Sequence, residues 1–132
     1  MIVLDTHTLI WWINNPDKLS KKAKKFIEDE KSKKRSILMS SISVFEVNLL
    51  FKKGKLELVT HPDIWLETIE NLTSVRFIPV DNQIAALAVN LPDISYKDPA
   101  DWIIIATAIR FGLPLITADK KILNYKHVQS IW

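Results

Sequence analysis

The sequence predicts a three-layer α/β fold around a central parallel β-sheet, and three observations carry that expectation. Short apolar runs alternate along the chain with segments of helical period, the order that builds a parallel sheet covered by helices. The runs Ile2-Val3-Leu4, Ile37-Leu38-Met39 and Leu113 to Thr117 are almost continuously apolar, as strands buried on both faces should be. Helix signals fall between them: Ser20, Asp81 and Asp98 stand at cap positions, and Gly112 stands at a stop.

In chain order, Ile2 to Asp5 reads as a buried strand, and Thr6 to Ile13 as a helix ending at Asn14-Asn15-Pro16. Ser20 caps a basic helix whose Ala23, Phe26 and Ile27 share one face. Ile37 to Ser40 is the second strand. Ser43 with Glu46 three residues on resembles a capping box opening a helix to about Phe51, with Gly54 as its stop. Pro62 to Leu72 predicts a helix with Ile64, Trp65, Ile69 and Leu72 on its apolar side. Val75 to Val80 alternates as a strand, and Asp81 caps a helix to Leu91. Asp98-Pro99 is a strong start signal for a helix through Phe111. A strand from Leu113 to Thr117, a helical turn from Lys120 to Leu123 and a strand from His127 to Ile131 complete the chain.

The bulk numbers agree with one domain spanning residues 1–132. Hydrophobic residues make up 48% and charged residues 25% of the chain, ordinary for a globular protein. The absence of cysteine removes disulfides, thiolate zinc sites and cysteine nucleophiles together. No apolar run approaches a membrane span and the first residues carry no basic leader, so a cytoplasmic protein without membrane contact is expected. The net charge of +3 is mild, but the lysines are clustered. Lys21, Lys22, Lys24 and Lys25 head a basic segment that runs to Arg35, a stripe suited to a polyanion such as RNA and equally to a solvated helix face.

The acids are the informative residues. In a parallel α/β fold the helix N-termini lie at the carboxyl edge of the sheet, where ligands bind. Asp5 ends the first strand, Glu46 lies in the helix after the second, Asp98 and Asp101 open the helix at Pro99, and Asp119 follows the strand ending at Thr117. Five acids from four segments are thus expected at one edge. Taken singly, each has a structural role available: Glu46 in the capping box, Asp98 as an N-cap, Asp101 on the helix dipole, Asp119 as cap of the next turn, Asp5 on nearby amides. Taken together they repel, since two carboxylates about 4 Å apart cost roughly 4 kcal/mol at an effective dielectric near 20. A hard divalent cation, Mg²⁺ or Mn²⁺, is the expected compensation for an all-oxygen donor set. Paired ions at such a cluster suit phosphodiester hydrolysis.

Thr6 and Thr117 adjoin the acids and are candidates to orient water or phosphate, although buried hydroxyls also bond backbone. His7 reads as structural, because no second histidine stands at ligand spacing. Trp11, Trp12 and Trp65 suit either base stacking or the core. The chain has no glycine-rich phosphate loop and no serine in a nucleophile elbow.

Across its whole length the chain resembles PIN-domain toxins of the VapC type. The resemblance is carried by Leu4-Asp5-Thr6-His7-Thr8-Leu9-Ile10-Trp11-Trp12, Ser40-Ser41-Ile42-Ser43-Val44-Phe45-Glu46-Val47, Asp98-Pro99-Ala100-Asp101, Ile105-Ala106-Thr107-Ala108 and Leu115-Ile116-Thr117-Ala118-Asp119. It implies a metal-dependent endoribonuclease, the toxin of a type II toxin–antitoxin pair, that dimerises and is held inactive by a small antitoxin. It also implies that Asp5, Glu46, Asp101 and Asp119 are the catalytic, metal-binding acids, with Asp98 auxiliary. Trp102 departs from the pattern, which usually has a basic residue there.

Two other classes that place acids at this edge fit less well. A haloacid-dehalogenase-type phosphatase needs a second Asp two residues after the first, where this chain has His7, and a receiver domain needs a matching lysine after a later strand. A non-catalytic PIN-like RNA-binding module is the remaining alternative.

Overall fold

In the computed structural model, which describes all 132 residues, five parallel strands form one sheet in the order β3-β2-β1-β4-β5. These are β1 (Ile2–Leu4), β2 (Ile37–Ser40), β3 (Val75–Ile78), β4 (Leu115–Ile116) and β5 (Ser130–Ile131). The central strand is bonded on both sides: Val3 pairs with Leu38 and Leu115, and Leu4 with Met39 and Ile116.

Successive residues of a strand face opposite sides, and here each side meets a separate core. Ile2, Leu4, Ile37, Met39 and Ile116 pack under α1 (Thr6–Asn14), α2 (Lys21–Ser32), α3 (Ile42–Lys52) and α4 (Pro62–Glu70). Val3, Leu38 and Leu115 pack under α5 (Asn82–Val89), α6 (Pro99–Phe111) and α7 (Lys120–Leu123). Continuous apolar strands therefore have the physical reason expected of them, a core on each face. No helix is long and apolar enough to cross a membrane.

Several boundaries and faces depart from expectation. The last two strands shrink to two residues each. On α4 the buried residues are Pro62, Trp65, Leu66 and Ile69, while Ile64 is 55% exposed and Leu72 lies beyond the helix. The sheet covers one narrow stripe of this short helix, and Leu66 rather than Ile64 falls within it. The Ser43–Glu46 capping box does not form. Helix α3 starts two residues earlier, at Ile42, its cap Ser41 makes no side-chain bond, and Ser43 is fully buried.

Candidate active site

Strand order sets the site. From β1 the chain moves outward through β2 to β3, then returns to the other side of β1 with β4. The direction of winding switches between β1 and β4, and in open α/β sheets the crevice beyond the carboxyl ends at such a switch is where ligands bind. Asp5 follows β1 directly. Its amide donates to Ile116 O (3.0 Å), and its carboxylate accepts from Thr6 N (2.7 Å) and Thr117 Oγ1 (2.7 Å). Thr117 Oγ1 also accepts from Asp119 N (3.1 Å), and Asp119 Oδ1 caps α7 by accepting from Lys121 N (2.8 Å). One threonine hydroxyl thus ties the acids after two neighbouring strands to each other across the switch.

Glu46 arrives by a different route. Instead of reaching back to the start of its own helix, it accepts from Thr6 Oγ1 (2.5 Å), and the same hydroxyl is 2.8 Å from Ser43 Oγ. The reciprocal partner of Glu46 is therefore the residue after Asp5, 40 positions away. Thr6 and Thr117, candidates to orient water or phosphate, each donate a hydrogen bond to one of the carboxylates.

Asp98 caps α6 through a long bond, Asp101 N to Asp98 Oδ1 at 3.4 Å. Asp101, three residues into the structure opened by that cap, is only 7% exposed, and its Oδ2 is buried with no hydrogen-bond partner. The hydroxyl of Tyr96 is the other buried side-chain polar atom lacking a partner. Trp102, which replaces the expected basic residue, donates its Nε1 to Tyr96 O (3.0 Å) and so pins the segment before the cap.

All five acids line one open cavity of about 290 Å³, with His7 and Trp11 at its wall. Electrostatics follows from that crowding. Burial, followed by the charges of Asp5, Asp98, Asp119 and Glu46, pushes the Asp101 carboxyl up to about 8. Burial likewise raises Asp5, against the pull of its Thr117 and Thr6 hydrogen bonds, and raises Glu46 against its bond from Thr6. Tyr96 is raised by burial and then by Asp101, Asp119, Asp98 and Asp5, so its hydroxyl feels the same field.

No lysine or arginine lines this cavity, and His7 at its wall is the one basic side chain there. As placed, no three acidic or histidine side chains converge into a closed metal cage. An open set of oxygen donors with an unpartnered carboxylate oxygen fits a hydrated Mg²⁺ better than a cage would, since Mg²⁺ keeps several waters and takes one or two carboxylates.

His7 needs a correction: it is exposed at the mouth of the cavity rather than structural. On α1, Thr6, Leu9 and Ile10 face inward, which leaves His7 and Trp11, one turn apart, on the open side. Helical period alone carried that signal. Trp65, by contrast, is a core residue, its Nε1 donating to Asn14 Oδ1 (2.9 Å), and Trp12 is partly buried against the same core. Lys21, Lys22, Lys24 and Lys25 are exposed on α2 and line neither the acid cavity nor the one beside it.

A family model described as PIN domain matches residues 2–128. The chain is 32% identical over 130 residues, 98% of its own length and 95% of the other, to Ribonuclease VapC22 of Mycobacterium tuberculosis (strain ATCC 25618 / H37Rv). Among solved structures, VapBC2 from Rickettsia felis bound to a promoter DNA fragment superposes with a TM-score of 0.72 at 18% identity, covering 99% of this chain and 98% of that one. DNA-bound VapBC from Salmonella typhimurium gives 0.68 at 20% identity, with 99% and 98% covered. At those identities the two structures speak for the fold.

Proposed function

The chain belongs to the PIN-domain family, and from that premise we propose that it is a metal-dependent endoribonuclease, the toxin of a type II toxin–antitoxin pair. The observation that carries the reading is the acid cavity, whose lining brings Asp5, Glu46, Asp101 and Asp119 together with no lysine or arginine. A relative matched over nearly its full length is a ribonuclease by name, which supports RNA as the substrate.

In this reading Asp5, Asp101, Asp119 and Glu46 hold Mg²⁺ or Mn²⁺. Such ions would supply an activated water and charge stabilisation for the leaving oxygen of the phosphodiester. The chain's own residues do the positioning. Thr117 holds Asp5 against Asp119, Thr6 holds Glu46, and Asp98 fixes the helix end from which Asp101 projects. The α2 lysines Lys21, Lys22, Lys24 and Lys25 add an outer, sequence-independent attraction for RNA.

The solved neighbours are VapBC complexes, which supports a small antitoxin as partner. Exposed Phe45 and Leu49, one turn apart on α3, give a partner or a second copy in a homodimer an apolar surface.

Cleavage of single-stranded RNA in Mg²⁺, abolished by EDTA, tests the reading. Mg²⁺ at about 100 times its dissociation constant should also stabilise the fold by roughly 2.7 kcal/mol in a thermal melt. Stabilisation by Mg²⁺ without cleavage of any RNA would favour the non-catalytic alternative.

A further inference from the structure

The acid cavity lies between two others that are built differently. On the α1 side, His7 and Trp11 line both it and a cavity of about 550 Å³ that also contains Lys18 and Lys55. On the α7 side, a cavity of about 460 Å³ is lined by Tyr96, Lys121 and Tyr125. Tyr96 stands two residues before Asp98, and Lys121 two residues after Asp119. Each flank sets a lysine against an aromatic ring. Lys18 Nζ is 5.9 Å from the centre of Trp11, and Lys121 Nζ is 4.7 Å from the centre of Tyr96.

These lysines are free. Only Lys31 and Lys126 stand within 4.0 Å of a carboxylate. Of the acids on the flanks, Asp93 is engaged by His127 and Lys126, and Glu57 is one charge against Lys18 and Lys55. A polyanion drawn to the centre must cross five carboxylates, so its neighbouring phosphates need cations on either side. Both flanks provide them, each beside an aromatic surface of the kind that stacks unpaired bases.

We propose that the two flanks are subsites for one single-stranded RNA that crosses the acid cavity. Phosphates sit on Lys18 and Lys55 on one side and on Lys121 on the other, with bases against Trp11 and Tyr96. A phosphate that draws Lys18 or Lys121 outward uncovers the ring beneath it. The choice of RNA rests on the ribonuclease reading. Single strands are required because paired bases cannot turn onto a protein ring.

The test is fluorescence anisotropy of a labelled single-stranded RNA on the full chain in EDTA, across a salt series. Lys18→Ala/Lys55→Ala and Lys121→Ala should each weaken binding several-fold. The slope of log affinity against log salt should shrink by about 0.7 per lysine removed. Lys33→Ala/Lys34→Ala, exposed and outside all three cavities, is the charge-matched control and should lose less. A duplex of the same sequence should compete poorly. Wild-type slopes in the flank variants would leave the cavities to a protein partner and overturn the proposal, as would equal competition by duplex or no RNA binding by the wild type. Cleavage in Mg²⁺ is read separately on the same proteins: RNA held through the flanks but never cut would refute the nuclease reading and leave the subsites standing.

Discussion

Two buried carboxylates at opposite ends of the sheet make an instructive pair. Glu30, 4% exposed, lies at the amino edge and accepts from Arg35 Nε (2.9 Å) and Nη2 (2.6 Å), with the amine of Met1 at 2.9 Å. The Arg35 hydrogen bonds and then the N-terminal amine hold its carboxyl down at about 2. Asp101, 7% exposed at the carboxyl edge, has one oxygen without a partner and four acids around it, and its carboxyl rises to about 8. Both residues are little exposed, yet the outcome is opposite. Where an acid serves the fold, the chain brings its own cations, and where it serves the proposed chemistry the cation is left to come from solution.

The largest expected effect bears on the functional end of that comparison. Asp101→Asn should lower metal-dependent cleavage at least about 100-fold, the upper end of what losing even an outer partner of a metal ligand costs. It should also raise metal-free stability by relieving repulsion, and Asp5→Asn should act alike. A metal-free melt in which both variants are less stable than the wild type would show that these acids are structural, like Glu30, and would dissolve the contrast.

Next is pH. A carboxyl raised in the folded state binds protons the unfolded chain has released, so metal-free stability should fall as pH rises from about 4 to about 8 and then level off. Asp101→Asn should flatten that descent. Glu30 has the opposite sign: its stabilisation is complete above the unfolded value of 4.5 and is lost as pH falls through about 2. Denaturant titrations across that range separate the two windows, and a descent equally steep in Asp101→Asn would assign it elsewhere.

Glu30→Gln then measures the structural end. It should cost about 1.5–3 kcal/mol, the range for hydrogen bonds to charged groups, while RNA cleavage per folded molecule stays at the wild-type rate. The smallest effect is at Asp98. Because its capping bond is 3.4 Å long, Asp98→Ala should cost near the lower end of the usual 0.5–2 kcal/mol, and Asp98→Ser should recover most of it. An inactive but folded Asp98→Ser beside an active Asp101→Asn would exchange the roles of the two acids.

What local pattern states, the sequence states well. Apolar runs, Pro99 at a helix start and Gly112 at its end (φ 63°) identify a doubly covered parallel sheet and the ends of its helices. An acid that follows a strand or opens a helix is carried to the carboxyl edge by that position alone, so Asp5, Asp98, Asp101 and Asp119 were legible. The false capping box shows the limit. Ser43 and Glu46 have the right types at the right spacing, but the helix begins two residues early and both turn to Thr6, 37 and 40 residues away.

Sequence by itself therefore determined the layers, the edge and most of the acids, because caps and periodicity are settled within three or four residues. Tertiary structure alone decided the rest. It chose Thr6 and Thr117 as holders of the carboxylates, turned His7 outward, left Asp101 Oδ2 and the Tyr96 hydroxyl unpartnered, and set Lys18, Lys55 and Lys121 beside the cavity in place of the more conspicuous α2 lysines. Each of those depends on which distant segment packs alongside, a matter of long-range contact that no local spacing encodes.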